Sequence, residues 1–115
     1  MIIIHVMGGL GNQLYQYALY EKLRSLGKHV KLDLYAYKEA AGEEREWRPL
    51  ELEWLEALQY EVCTMEERQR FLDNSMKPAD RIRRKLTGRK DRTVRESAAY
   101  MPEIYEMDDV YLYGF

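Results

Sequence analysis

Residues 1–13, MIIIHVMGGLGNQ, contain the strongest signals of secondary structure in the chain. Four of its first six residues are Ile or Val, and Ile2–Ile4 form an unbroken run. A continuous β-branched run is typical of a strand buried on both faces, as in the interior of a parallel sheet. Three glycines follow between positions 8 and 11, and helical periodicity begins after them. We therefore predict a strand over residues 1–6, a glycine-rich turn, and a helix that begins near Asn12, a favoured N-cap residue.

A helix and a second strand complete a βαβ unit. Apolar residues recur at three- and four-residue steps after the turn, and Gly27 falls where a left-handed residue commonly ends a helix. Apolar and polar residues then alternate over His29–Leu34, which predicts a strand. Strand, helix and strand within about 30 residues form a βαβ unit, whose crossover is right-handed. The predicted buried stripe of the helix consists of Tyr15, Ala18, Leu19, Leu23 and Leu26.

Local signals predict two more helices and another strand. Thr64–Glu67 has the pattern of a capping box, which predicts a short helix through Leu72. Pro78 suits the first turn of a further helix, which should end near Gly88. The apolar and aromatic run Val110–Tyr113 predicts a strand close to the end of the sequence.

Three other segments have no regular pattern. Residues 35–47 predict a loop, and residues 47–58 are ambiguous between helix and strand. Residues 81–95 carry eight Lys or Arg, which we interpret as a solvated helix face and loop. Together the signals predict one α/β domain over residues 1–115, built on a Rossmann-like βαβ unit with a parallel sheet.

Composition and charge exclude several classes of protein. The net charge is only −2, so the chain as a whole has no electrostatic attraction for nucleic acid or an anionic membrane. Cys63 is the only cysteine, so we expect neither an intrachain disulfide nor a metal site built on cysteines. The apolar start is too short to span a bilayer and carries no basic leader. We expect a cytoplasmic protein, at most peripheral to a membrane, with no nucleic-acid partner and no metal cofactor.

The glycine loop has two interpretations. In the first it is a tight turn, and Asn12 only caps the helix. In the second, Gly8, Gly9 and Gly11 let bare backbone approach an anion, which the N–H groups and partial positive charge of the helix end attract. Asn12 and Gln13 favour the second interpretation, because adjacent amides donate and accept hydrogen bonds together, as a hydroxyl-rich ligand such as a sugar requires.

A dinucleotide is an alternative ligand for this loop. The fingerprint of NAD-binding modules is G-x-G-x-x-G, and Gly9 and Gly11 supply its first part, but Leu14 stands in place of the third glycine. Asp33 lies about twenty residues further on, at the end of the second strand, where a ribose-binding acid would lie. The P-loop of nucleoside triphosphatases is excluded because no Gly-Lys-Ser/Thr follows the glycines of this loop.

Residues 8–18, GGLGNQLYQYA, resemble the opening of glycosyltransferase family eleven, the α-1,2-fucosyltransferases. Members of that family typically have an Ile-rich N-terminal strand followed by Gly-Gly-Leu-Gly-Asn-Gln-Met/Leu-Phe/Tyr-Gln-Tyr-Ala. Three further segments resemble the family in the same order: LDLYAY at 32–37, WRPLELEWL at 47–55 and DVYLYGF at 109–115. The resemblance covers essentially the whole chain and is strong at both ends.

The resemblance implies a GT-B-like fold, with two Rossmann-like halves across a cleft. It implies inverting, metal-independent transfer from GDP-fucose to a hydroxyl of a galactoside or other oligosaccharide acceptor. It places Gly8, Gly9, Gly11, Asn12 and Gln13 at the donor, with Asn12 nearest the fucose and phosphate. The family's donor-binding motif, His-x-Arg-Arg-Gly-Asp, does not occur in the chain. The resemblance is thus to the N-terminal half of such an enzyme, and we expect these 115 residues alone to transfer little or no fucose.

Two questions stay open at the level of sequence. No catalytic base is assigned: His5 is expected to pack, His29 to lie at the surface, and Asp33, Glu51 and Glu53 are candidates only by residue type. The alternative function is a small non-catalytic module that binds a nucleotide or another protein. Exposed tyrosines and sheet edges would then favour self-association of the chain.

Overall fold

A parallel sheet with helices on both faces forms the described part of the chain, which is residues 1–39, 49–97 and 101–115. The structure is a computed structural model. The described strands are β1 (Ile2–His5), β2 (Val30–Asp33), β3 (Thr93–Arg95) and β4 (Val110–Tyr113). They pair in the order β2-β1-β4-β3, and every pairing is parallel. The α/β class and the parallel sheet are therefore confirmed.

Three of the four described α-helices lie where the sequence predicts a helix, and one does not. The described helices are α1 (Leu10–Ser25), α2 (Tyr35–Glu39), α3 (Met65–Leu72) and α4 (Pro78–Thr87), with 3₁₀ turns at Leu52–Trp54 and Pro102–Tyr105. The loop predicted over residues 35–47 is wrong at its start, where α2 lies, and residues 40–47 fall outside the described residues. In the described ranges, no helix is long and apolar enough to cross a bilayer.

β1, α1 and β2 form the predicted βαβ unit. β1 lies beside β2 in parallel, with Ile2 opposite Val30. All three residues of Ile2–Ile4 are fully buried. This confirms the prediction of a strand covered on both faces. Gly27 follows α1 with a φ of +83°, as predicted for the residue that ends the helix.

α1 buries a different face from the predicted one. Tyr15 is 80% exposed and Leu26 is 47% exposed, although both belong to the predicted stripe. The buried residues of α1 are Gln13, Gln16, Tyr20 and Leu23. The reason is hydrogen bonding, because the side chains of Gln13 and Gln16 bond to backbone groups of the loops at the sheet edge. These bonds fix the rotation of the helix, and much of its apolar stripe is left in solvent.

Alternate residues of the strands enter two separate cores. Ile2 and Ile4 pack with Leu23 of α1 on one face of the sheet. Ile3 packs with Phe71 of α3 on the other face. Successive side chains of a strand point to opposite faces, so the Ile2–Ile4 run serves both cores. The result is a three-layer arrangement in which the sheet lies between α1 and α3.

Local capping signals position α3 and α4. Thr64 Oγ1 accepts a hydrogen bond from Glu67 N at 3.1 Å, and the Glu67 carboxylate accepts one from Thr64 N at 2.9 Å. This is the predicted capping box. Pro78 is the first residue of α4, and Gly88 follows its end with a φ of +79°, both as predicted.

A buried carboxylate ties the elements together at the carboxyl ends of the strands. Asp33, the last residue of β2, is fully buried. Its Oδ2 accepts hydrogen bonds from the Tyr111 hydroxyl of β4 and, at 2.8 Å, from Arg68 Nε of α3. Its Oδ1 accepts one from Tyr35 N of α2 at 2.9 Å, and His5 Nδ1 of β1 lies 3.7 Å from Oδ2. One side chain thus joins two helices to three strands.

The ionised form of Asp33 stabilises the fold. Burial alone would raise the pKa of Asp33, but the donors around its carboxylate outweigh burial and lower that pKa to about 2. An Asp in an unfolded chain has a pKa of about 3.9. The stabilisation is therefore fully present above about pH 4 and is lost as the pH falls from about 4 to about 2.

We expect Asp33→Asn to lower the free energy of unfolding by about 3 kcal/mol at neutral pH, because a neutral amide replaces the buried carboxylate that accepts a hydrogen bond from Arg68 Nε. The unsubstituted chain should lose about 2 kcal/mol of stability between about pH 4 and about pH 2, and the variant should lose much less. Urea denaturation at a series of pH values measures both effects.

Glu61→Gln is the matched control for this prediction. It makes the same carboxylate-to-amide change at an exposed ion pair, whose Glu61 Oε2 lies 3.2 Å from His29 Nε2. We expect it to change the free energy of unfolding by less than about 0.5 kcal/mol. Equal stability of the two variants would contradict the role assigned to Asp33.

Candidate functional site

The glycine loop leaves β1 at the carboxyl edge of the sheet and enters α1 directly. Gly8 has a φ of +81°, a conformation that residues with a side chain rarely adopt. The Tyr37 hydroxyl donates a hydrogen bond to Gly8 O at 2.8 Å. Gly9 is the N-cap of α1, and no side chain caps the helix. The prediction that Asn12 is the N-cap is therefore wrong, since Asn12 is the third residue of the helix.

The first backbone N–H groups of α1 have no hydrogen-bond partner among the described residues. The ladder of the helix begins where Gln13 N donates to Gly9 O at 3.0 Å. No described residue accepts a hydrogen bond from the N–H groups of Leu10, Gly11 or Asn12. The first turn also contains no acidic residue, so no carboxylate of the helix neutralises its partial positive charge. Such a helix end offers N–H donors to an anion.

Gln13 holds the loop in place. Its side chain is fully buried. Nε2 donates to the carbonyl oxygens of Gly8 and Pro49, both at 3.0 Å. Oε1 accepts hydrogen bonds from the N–H groups of Glu51 at 2.8 Å and Leu52 at 3.2 Å. These bonds use every hydrogen-bonding position of the amide, so Gln13 does not present the second ligand-binding amide that the sequence suggested.

Asn12 is the amide that remains available. It is exposed, and its side chain forms no hydrogen bond with a described residue. A Cβ at Gly8 would overlap Asn12 Nδ2, so the glycine supplies space for this side chain as well as a positive φ. Gly11 has open space where a Cβ would stand, which leaves the backbone of the first helical turn open to approach.

Asn12 also lines a cleft at the carboxyl edge of the sheet, beside the ends of β1, β3 and β4. The cleft has a volume of about 350 Å³. Among the described residues that line it, Glu96, which directly follows β3, is the one with a carboxylate side chain. Ligands of open parallel sheets bind in crevices at this edge. The residues that line the cleft are Met7, Asn12, Tyr15, Gln16, Glu96, Gly114 and Phe115.

Glu96 is not among the candidate residues that the sequence suggested. Its position depends on β3, a strand of three residues that pairs only with β4 among the described strands. Residues 93–95 read Thr-Val-Arg within a basic segment, which shows no alternation of apolar and polar residues long enough to predict a strand. The β-propensity of Thr93 and Val94 was the only available sign of this strand.

The other candidates proposed from residue type lie away from the cleft. His5 is buried, and its ring stacks on Tyr113 with centroids 4.8 Å apart, which confirms that it packs. His29 is exposed, as predicted. Glu51 and Glu53 are at the 3₁₀ turn and do not line the cleft. In residues 1–39, 49–97 and 101–115, no group of His, Cys, Asp or Glu side chains could hold a metal ion.

Cys63 is not a candidate nucleophile. It is 2% exposed and forms part of the core beneath α3. Burial raises the pKa of the Cys63 thiol to about 12, so the thiol stays protonated at neutral pH. Its role is packing.

Comparison with known proteins adds no assignment. The chain matches no protein-family model, no curated protein and no solved structure. The function must therefore be argued from the site and from the motif at residues 8–18.

Truncation of the two neighbouring amide side chains should have very different effects on the free energy of unfolding. We expect Gln13→Ala to lower the free energy of unfolding by about 3 kcal/mol, because buried backbone groups of the loop lose their partners. Asn12→Ala should change it by less than about 0.5 kcal/mol, since the Asn12 side chain is exposed and bonds to no described residue. Urea denaturation of both variants checks this. A destabilisation by Asn12→Ala as large as that by Gln13→Ala would contradict the division of roles.

Proposed function

We propose that the chain binds the sugar-phosphate part of GDP-fucose, as the N-terminal part of an α-1,2-fucosyltransferase with a GT-B-like fold. The observation that carries the proposal is the open N-terminus of α1, where N–H groups without described partners and the free amide of Asn12 lie together at the carboxyl edge of the sheet. The resemblance of residues 8–18 to the opening of glycosyltransferase family eleven is what favours this donor among anionic ligands.

The helix end suits the phosphate of the donor. The N–H groups of Leu10, Gly11 and Asn12 are free to donate, and no acidic side chain of the first turn competes for them. The helix dipole favours an anion at this position by about 0.3–1 kcal/mol, and hydrogen bonds from the N–H groups add to this. In the transition state of glycosyl transfer, negative charge grows on the departing phosphate, so preorganised donors stabilise it more than the ground state.

The cleft next to the helix end suits the sugar. Asn12 offers an amide that both donates and accepts, and Glu96 offers a carboxylate that accepts. Sugar hydroxyls need both kinds of partner. The carboxylate of Glu96 would repel a phosphate inside the cleft, which favours hydroxyl groups there and phosphate at the N–H groups.

The chain supplies only part of the catalytic machinery of a fucosyltransferase. A guanidinium in bidentate contact with the diphosphate would provide the strongest charge stabilisation. The family's His-x-Arg-Arg-Gly-Asp motif, which supplies this guanidinium, does not occur in the sequence. We therefore propose donor binding for this chain and expect little transfer by it alone.

Binding of NAD is less favoured by the geometry. An NAD-binding module needs an acid at the end of its second strand that is free to bind the ribose hydroxyls. Asp33 stands at that place but is fully buried and accepts hydrogen bonds from Tyr111, Arg68 and Tyr35. Its carboxylate has no exposed atom to offer to a ribose.

Removal of the Asn12 amide should weaken donor binding without an effect on the fold. We expect Asn12→Ala to raise the Kd for GDP-fucose about tenfold, the size of one or two lost hydrogen bonds. Gly8→Ala should have a similar effect, because the added Cβ displaces the Asn12 side chain. Isothermal titration of the chain with GDP-fucose, GDP and NAD measures the three affinities.

Gly27→Ala is the matched control for Gly8→Ala. Both glycines have a positive φ, so both variants carry the same backbone strain, but a Cβ at Gly27 meets no other atom. We expect Gly27→Ala to bind GDP-fucose as the unsubstituted chain does. NAD binding tighter than GDP-fucose binding, or an unchanged Kd for GDP-fucose in Asn12→Ala, would contradict the proposal.

A further inference from the structure

α4 presents its apolar residues to solvent, whereas Arg83 and Arg84 contact the rest of the protein. Ile82 is 60% exposed and Leu86 is 80% exposed, and the helix has no buried residue. The two residues are four positions apart, so they lie on one face of the helix. This is the reverse of a surface helix of a globular protein, whose apolar stripe faces the core.

Hydrogen bonds explain why Arg83 and Arg84 of α4 face the protein. Arg83 donates a hydrogen bond to Asp73 Oδ1, and Arg84 donates one to Ser75 O. Asp73 is 7% exposed and also accepts a hydrogen bond from Lys90 N at 2.6 Å. These contacts connect α4 to the segment after α3, so the outward position of its apolar face is fixed by the fold.

Basic side chains flank the exposed apolar residues. Lys77, Arg81 and Lys85 are exposed, and none forms an ion pair with a described residue. Asp80, the acidic residue of the helix, lines the groove that Asp73 and Arg83 also line, on the inner side of α4. We call Ile82, Leu86, Arg81 and Lys85 the outer face of α4.

We propose that the outer face of α4 binds an anionic lipid surface, with the helix parallel to the bilayer. A helix with an apolar face and adjacent Lys or Arg side chains lies in the plane of a membrane interface, where apolar groups enter the lipid and cations meet anionic headgroups. Met76, which precedes α4 and is 70% exposed, would extend the inserted apolar surface.

Charge favours lipid over a second copy of the chain. A two-fold symmetric dimer through the outer face would bring Arg81 and Lys85 of one copy close to the same cations of the other. No acidic residue of the outer face is available to pair with them. An anionic lipid surface supplies the opposite charge along the whole helix. The net charge of −2 does not oppose this, because the attraction is local to α4.

Sedimentation with lipid vesicles tests the proposal. The chain should sediment with vesicles of phosphatidylcholine mixed with phosphatidylglycerol, should stay in the supernatant with phosphatidylcholine alone, and should be released by salt. Arg81→Gln with Lys85→Gln should lower the partition coefficient at least tenfold, and so should Ile82→Ser with Leu86→Ser. All four substituted residues are exposed, so the variants should fold.

Two control variants carry the same changes elsewhere on the surface. Lys22→Gln with Arg24→Gln removes two exposed cations from α1, and Leu26→Ser with Trp54→Ser removes two exposed apolar side chains. Both should bind vesicles as the unsubstituted chain does.

Absence of binding to anionic vesicles, or equal loss of binding in the control variants, would overturn the proposal. So would a dimer in sedimentation velocity that Ile82→Ser with Leu86→Ser dissociates, because the face would then belong to a second copy.

Discussion

The structure depends on the hydrogen bonds of one buried carboxylate. Asp33 ends β2, and it reaches past β1 to the Tyr111 hydroxyl of β4 and outward to Arg68 of α3. β2 and β4 are not neighbours in the sheet, so this bond fixes the carboxyl ends of three adjacent strands at once. Burial also raises the pKa of Tyr111, and the adjacent Asp33 carboxylate raises it further, so the phenol remains a donor at any physiological pH. The glycine loop starts from the edge that these bonds hold.

At that edge one side chain has a structural role and its neighbour has the proposed binding role. Gln13 uses its whole amide on backbone groups, and three of its four partners, Pro49, Glu51 and Leu52, come from a segment more than thirty residues away. The side chain of Asn12 forms no hydrogen bond with a described residue, and it lies in the cleft with Glu96. A rigid support beneath a free polar group is the arrangement that a binding site requires, because the group loses little conformational freedom when a ligand arrives.

Local signals in the sequence were sufficient for much of the fold. The β-branched run predicted β1, and the capping box of Thr64 predicted α3, because each signal depends on residues close in sequence. The burial of Gln13 could not be predicted, since its partners are distant in the chain and a glutamine in a first helical turn usually faces water. β3 was missed because a three-residue strand is stabilised by its pairing with β4 rather than by its own propensity. Asn12 was expected to cap the helix or to bind a ligand, and its exposure and its place in the cleft required the structure.

The proposal that the open end of α1 receives the phosphate of a sugar donor is tested most directly by a ¹⁵N–¹H correlation spectrum of the chain, titrated with GDP-fucose to saturation. We expect the largest shifts at the backbone N–H signals of Leu10, Gly11 and Asn12, together with the side-chain amide of Asn12. Saturable binding that leaves these signals unmoved, with shifts confined to α3 and α4, would contradict it.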